Sequence, residues 1–246
     1  MPAQDFGRVA DIYDATRSLP EEQMKALSKA IEVEVGSRNS LLDVGVGTGR
    51  FAKPLQVLGI DVVGVDISRG MMAKAREKGV GGLFLADVHR LPFQDRKFDA
   101  SLMVHVLHLV ADWSRVVREA ARVSRGAVLS VTGSTVGPSL EEEYLGIRTQ
   151  LGYPLNRFEA GEYGLQERVE PMKLIRVGEV VRRFESDEEI DSLLRREESL
   201  TWDLPEDVHQ RVIAELRASY SGKAFETKSA IELIVWSPEQ LRLLHQ

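Results

Sequence analysis

Four acids, three glycines and two histidines stand in an order that chemistry could use. The stretch LLDVGVGTGRF, residues 41–51, sets Asp43 two places before Gly45, with Gly47 and Gly49 following at alternate positions. Fixing three glycines so close together costs conformational entropy, so the backbone there must take up positive φ or come very near something else. Asp66 closes the apolar run VVGVD, Asp87 closes GLFLAD, and Asp99 follows Phe98. An acid after the second strand of such a unit is where a carboxylate takes a ribose diol. His105 and His108, three apart in HVLHLVADW, carry imidazoles able to move a proton near neutral pH. No carboxylate or cysteine falls at ligand spacing beside them, so no metal pair is expected. Each acid also has an ordinary explanation: Asp66 with Ser68 can cap a helix, Asp87 can be a turn acid, and Asp99 reads as structural.

The elements that would hold these residues alternate in period. SLLDVGV, IDVVGVD, GLFLAD, FDASLMVH and GAVLSVTG read as strands, separated by helical patterns in RFAKPLQVLG, RGMMAKAREKG and DWSRVVREAARVS. Strands alternating with helices imply βαβ units and a parallel sheet, with ligands held at the carboxyl ends of the strands. Asp112 is the expected N-cap of the third of these helices, whose Trp113, Val116, Val117, Ala120 and Val123 share a face. Met24, Leu27, Ile31 and Val35 predict a helix ahead of the first strand. Residues 136–185 are less regular and read as mainly helical, with LIRVGEVVRRF a possible strand. Two amphipathic helices, SDEEIDSLLRREE and PEDVHQRVIAELRASY, precede the closing strand AIELIVW.

The bulk numbers set limits. With 246 residues, a net charge of −6 and no cysteine, the chain has no disulfide, thiolate zinc site or cysteine nucleophile. The acidic balance argues against a nucleic-acid partner, and the pairs Arg182–Arg183 and Arg195–Arg196, mixed with acids, read as solvated helix faces. No apolar run is long enough to span a bilayer, and the opening MPAQDFGRVADIYD lacks the charged and apolar regions of a leader, so a cytoplasmic location is expected.

Gly47 to Ala52 formally fits the dinucleotide fingerprint G-x-G-x-x-G/A, which alone is weak. The later segments add more. LLDVGVGTGRF, VVGVDIS, LADVHRLPFQDRKFDAS and VLHLVADW together resemble the class I S-adenosylmethionine-dependent methyltransferases over about residues 40–131. The set is most similar to the small-molecule branch with ubiquinone and menaquinone biosynthesis methyltransferases, the methyltransferase type 11 domain. The resemblance implies a doubly wound, Rossmann-like, mainly parallel seven-stranded α/β sheet with helices on both faces, plus a helical lid and insertion. The expected divisions are an N-terminal lid (1–36), a cofactor-binding core (37–135), a substrate-side insertion (136–185), and C-terminal helices and strands of the same sheet (186–246).

It also implies roles. Asp43 would meet the methionine amino group of S-adenosylmethionine, and Gly45, Gly47 and Gly49 would pass along its methionine and ribose parts. Asp66 would accept from both ribose hydroxyls, Ile67 would pack on the adenine, and Asp87 would accept from its amine beside the Val88 N–H. His105 would lie near the sulfonium, and either His105 or His108 would act as general base where the acceptor keeps a proton. Tyr13 would approach the sulfonium from the lid, with Arg17 or Arg8 at the carboxylate. Tyr144, Tyr153, Phe158 and Tyr163 are candidate walls for a small-molecule acceptor, while His89 and His209 read as surface residues. VSRGAV, where Pro-Gly-Gly is usual, and Val88, where smaller residues are commoner, depart from the pattern. An NAD(P)-dependent oxidoreductase and a non-catalytic cofactor-binding protein are the competing readings.

Overall fold

The computed structural model describes residues 10–11, 13–14, 19–36, 40–155 and 161–244. They divide into two compact units, one holding residues up to 133, 158–179 and 230 onward, the other holding 134–157 and 180–229.

In the first unit the predicted alternation is realised. Helix α1 (Glu21–Val35) buries Leu27, Ile31 and Val35 and ends at Gly36 with φ 81°. Strand β1 (Ser40–Val44), helix α2 (Ala52–Val57), strand β2 (Asp61–Asp66), helix α3 (Arg69–Glu77), strand β3 (Leu83–Leu85) and strand β4 (Phe98–Met103) follow. Helix α4 (Trp113–Val123) runs without a loop into strand β5 (Ser124–Thr132), which is how a connection with one glycine suffices. Asp112 caps α4 by accepting from the Arg115 N–H at 3.0 Å, and the expected apolar face is buried.

Strands β3-β2-β1-β4-β5 are parallel neighbours in that order. The register sets Val44 beside Val65 and Met103, and Asp66 beside Leu85, so the ends of four strands line one edge. The first unit also contains helix α5 (Gly161–Arg168), part of strand β6 (Lys173–Glu185), and the later half of strand β7 (Ala224–Trp236). That half of β7 lies antiparallel to β5, pairing Val128 with Trp236 and Thr132 with Glu232. Trp236 is fully buried, and its indole N–H donates to Ser130 Oγ at 3.0 Å. A polar handle lets so large a ring end an apolar strand inside the core. Helix α6 (Pro238–Arg242) closes this unit against α4, its Arg242 donating to the carbonyls of Ala121 and Ser124.

The second unit holds helix α7 (Leu140–Gln150), helix α8 (Ser186–Leu194) and helix α9 (Glu206–Tyr220), which bury Leu140, Tyr144, Ile190, Leu193, Val212 and Leu216 together. A short strand, β8 (Thr135–Val136), pairs antiparallel with Lys228 and Ser229 of β7. Among the described residues there are eight strands, one more than expected, because two residues of β8 are too few to leave a periodic signal. Arg182 and Arg183 stand on strand β6, not on a helix. They pair with Glu189 and Glu226, and Arg195 and Arg196 pair with Glu197 and Glu206. His209 is not a surface residue: it is fully buried, and its Nδ1 meets the Tyr144 hydroxyl at 2.6 Å. Burial holds its pKa below the ordinary histidine value, and with Nε2 directed at the Leu194 carbonyl at 3.4 Å, Nδ1 is left to accept from the Tyr144 hydroxyl.

Candidate functional site

The glycine loop after β1 is left-handed at all three glycines, with φ 77° at Gly45, 53° at Gly47 and 73° at Gly49. A side chain at Gly45 would lie 2.1 Å from Val106 Cγ2, and one at Gly49 would lie 2.7 Å from Val80 Cγ2. The glycines are therefore required first by the chain's own packing: Gly45 admits the turn after β4 and Gly49 admits helix α3. Only at Gly47 is the space an ordinary contact, 3.5 Å to Met71 Cε.

Asp66 holds this loop in place. Its Oδ2 accepts from the Gly47 N–H at 2.8 Å and its Oδ1 from the Ser68 N–H at 2.7 Å. Burial raises its carboxyl above the usual range, against the pull of the Ser68, Gly47 and Ile67 N–H groups. Each carboxylate oxygen carries a further lone pair, so a ribose diol can be accepted alongside these bonds. Ile67, next along, is 55% exposed, an apolar side chain left facing outward at the edge.

Asp43 is buried at 3% exposure inside the end of β1. Burial, then the neighbouring charge of Asp66, push it up to about 7, and Arg50 pulls in the opposite direction. A buried carboxylate of this kind is stabilised by an added cation, which an amino-acid ammonium supplies. Asp87 is exposed, and its Oδ1 accepts from the His89 N–H at 2.9 Å and meets the ring Nδ1 at 2.7 Å. Burial acts to raise Asp87, but His89 and Arg115 outweigh it and hold the carboxyl low. Val88, beside it, is half-buried against the core.

The turn after β4 brings the two histidines together. His105 has φ 55°, a conformation in which a side chain is strained, and its ring lies 6.2 Å from that of His108, edge to face. His105 is exposed and His108 is half-buried in the middle of a short helical turn, Leu107–Leu109. Val106, between them, reaches into the space of Gly45, so this turn and the glycine loop are one packed structure.

The described part of the N-terminal segment also meets the loop. Asp14 accepts from the Thr48 hydroxyl at 2.6 Å and pairs with Lys78, which itself donates to the Thr48 carbonyl. Arg50 lies over the Phe51 ring at 4.7 Å and near the Tyr13 ring at 6.0 Å. Arg8, Arg17 and Phe158 fall outside the described residues, as does the side chain of Tyr163. Tyr144 is fully buried beside His209 and forms core, not an acceptor wall, while Tyr153 is 40% exposed.

Sequence reasoning missed several supports. Arg122 donates to the carbonyls of Leu91 and Phe93 and to Glu119 and Asp95, tying the LPF segment to α4. Phe93 stands edge-on between Phe84 and Phe98, with centroids at 5.4 and 5.0 Å. Asp99 is structural, accepting from the Ser40 N–H at 3.0 Å and hydroxyl at 2.6 Å. No spacing rule announced Glu162, which is buried at the start of α5.

The donor set therefore fits a nucleoside that carries an amino acid: a buried carboxylate for an ammonium, a second for a diol, and a loop of left-handed glycines between them.

Residues 42–129 match a family model described as a methyltransferase domain. Over 126 residues the chain is 35% identical to a demethylmenaquinone methyltransferase of Paenarthrobacter aurescens, covering 49% of each. Over 144 residues it is 28% identical to a malonyl-[acyl-carrier protein] O-methyltransferase of Yersinia pestis, covering 57% of this chain and 52% of that one. The chain thus spans about half the length of the curated relatives it matches. The crystal structure of the YcgJ protein from Bacillus subtilis superposes with a TM-score of 0.55 at 20% identity, over 88% of this chain and 99% of that one, a likeness of fold. Among the described residues, no helix is long and apolar enough to cross a membrane.

Proposed function

We propose, on the premise that residues 42–129 are a methyltransferase domain, that this chain transfers a methyl group from S-adenosylmethionine to a small-molecule acceptor. When bound, the cofactor would supply a methyl on a sulfonium; a nucleophile bonding to that methyl carbon in line would break its C–S bond and release the neutral thioether. The observation that carries the reading is the buried Asp43 beside Asp66 at the edge of the sheet, two carboxylates joined by a left-handed glycine loop.

Asp43 holds the ammonium and Asp66 the ribose diol. Asp87, with the Val88 N–H, takes the purine edge, and Ile67 covers its face. Tyr13 approaches the methionine end from the N-terminal segment, the part expected of Arg17 lying outside the described residues. His105 and His108 border the methyl side, where an imidazole takes the proton of a hydroxyl or phenol acceptor. Alignment and exclusion of water account for most of the acceleration, since the thioether leaves readily. The relatives are named for demethylmenaquinone and malonyl-[acyl-carrier protein], two unlike acceptors, which supports placing acceptor choice outside the shared segment.

Calorimetry with S-adenosylhomocysteine and NAD, on wild type and Asp66→Asn, tests the reading. Expected are dissociation in about the micromolar range for the first ligand, none for the second, and a loss of about tenfold or more in the variant. Absence of binding to wild type would overturn it.

A further inference from the structure

Glu162 is 6% exposed, yet no ion pair reaches it among the described residues, and its Oε1 has no hydrogen-bond partner. Burying a carboxylate is costly unless fixed donors face it. Burial pushes its carboxyl above the usual range, and the nearby backbone N–H groups of Glu162 itself, Val106, Leu107 and His105 pull the other way. Residues 105–107 form the turn in which His105 is left-handed at φ 55°. A non-glycine residue in that region persists only where its surroundings hold it. Next to Glu162, Gly161 lies against the turn from the same side, with room for a Cβ only 3.4 Å from His108 Cβ. One helical turn on, Leu165 packs in the cluster that contains Val106, Leu107 and Trp113. Helix α5 thus delivers one carboxyl group to the backbone of one strained turn, and that turn fills the space of Gly45.

We propose that Glu162 is the positioning residue of the His105 turn: its carboxylate gathers the N–H groups of residues 105–107, holding the His105 backbone left-handed and Val106 against Gly45. The assignment rests on the methyl-transfer reading for its purpose, since it makes Glu162 the residue that sets the wall on the methyl side. Its structural content stands apart from that purpose. A neutral acceptor at 162 would hold the turn partly, and a methyl group would release it.

The experiment uses the full chain as wild type, Glu162→Gln and Glu162→Ala. Hydrogen exchange is followed at residues 105–107 and, as a reference, at Ala100–Met103 in β4. The histidine ring carbons are followed by NMR during addition of S-adenosylhomocysteine. Exchange at 105–107 is expected to quicken about tenfold or more in the alanine variant and by less in the glutamine variant, with β4 unchanged. The His105 ring signal should respond to the ligand in wild type, lose that response with alanine, and regain part of it with glutamine. Exchange at 105–107 equal to wild type in the alanine variant, or raised evenly across β4, would overturn the proposal. Should Glu162→Ala fail to fold, the glutamine variant decides: faster exchange confined to 105–107 upholds the proposal, and exchange equal to wild type or raised throughout β4 defeats it. Failure of wild type to bind the ligand strikes the methyl-transfer reading instead, and the exchange result still decides the role of Glu162.

Discussion

Replacing Asp43 by Asn should separate two opposed effects of one carboxylate, weakening the ligand-free fold and holding the cofactor. Asp43 sits at about 7, raised by burial and by Asp66. A carboxylate whose folded pKa exceeds its unfolded value contributes stability that is complete below the unfolded value, and that is lost as pH rises through the folded one. The gap of about three pH units corresponds to about 4 kcal/mol, part of it shared with Asp66, so wild type should lose about 2–4 kcal/mol relative to Asp43→Asn between about pH 4 and pH 8. Urea titrations of both proteins without ligand at several pH values measure this difference. Binding should run the other way. The ammonium of S-adenosylhomocysteine favours ionised Asp43, so below neutral pH a proton must leave on binding. Affinity should then fall about 25-fold from about pH 7.5 to 5.5 in wild type, and stay level, though about tenfold or more weaker at the upper end, in Asp43→Asn. Parallel stability profiles for the two proteins, with an affinity that ignores pH, would refute the placement of Asp43 as a buried acid awaiting a cation.

Three further outcomes follow from packing and hydrogen bonds. Gly45→Ala puts a Cβ at φ 77° and 2.1 Å from Val106 Cγ2; it should cost about 2–4 kcal/mol, and adding Val106→Ala should make the cost of the glycine change smaller by about 1–2 kcal/mol. Denaturant midpoints of the four proteins in that cycle check it, and an unchanged cost in the Val106→Ala background would show the contact to be irrelevant. Arg122→Ala removes the donors to Leu91 and Phe93; a loss of about 1.5–3 kcal/mol and faster hydrogen exchange at residues 91–95 are expected. Tyr144→Phe leaves His209 Nδ1 buried without its 2.6 Å partner, which should cost about 1–3 kcal/mol in thermal unfolding.

The parallel core was legible because its signals are local. Branched apolar runs end at Val44, Asp66 and Met103; Gly45 follows the first and an acid closes the second. The glycine spacing also pointed to its place in the fold. Its cause is only half visible in sequence, because the groups that exclude side chains at Gly45 and Gly49 come from Val106 and Val80, far along the chain. Strand β7 begins at Ala224, earlier than the apolar AIELIVW, because FETKS is polar after Phe225 and offers no apolar run or alternation to mark its extended form. Strand β6 has many charged residues and both faces partly exposed, so its arginine pair looked like a helix surface. His209 lies in a charged helix, and nothing nearby in sequence reveals the Tyr144 hydroxyl that makes its burial tolerable. The left-handed backbone of His105 and the carboxylate of Glu162 are tertiary facts, set by contacts between segments more than 50 residues apart.

Two of the four boundaries between the compact units fall inside β6 and β7, and the second unit is assembled from two separate stretches, 134–157 and 180–229. For a recombining gene this is restrictive. A cassette covering either stretch alone delivers part of the unit, and one covering both carries residues 158–179 of the first unit with it, so no one contiguous cassette exchanges this unit by itself. Diversity confined to that unit has to accumulate residue by residue, or arrive as two coordinated replacements.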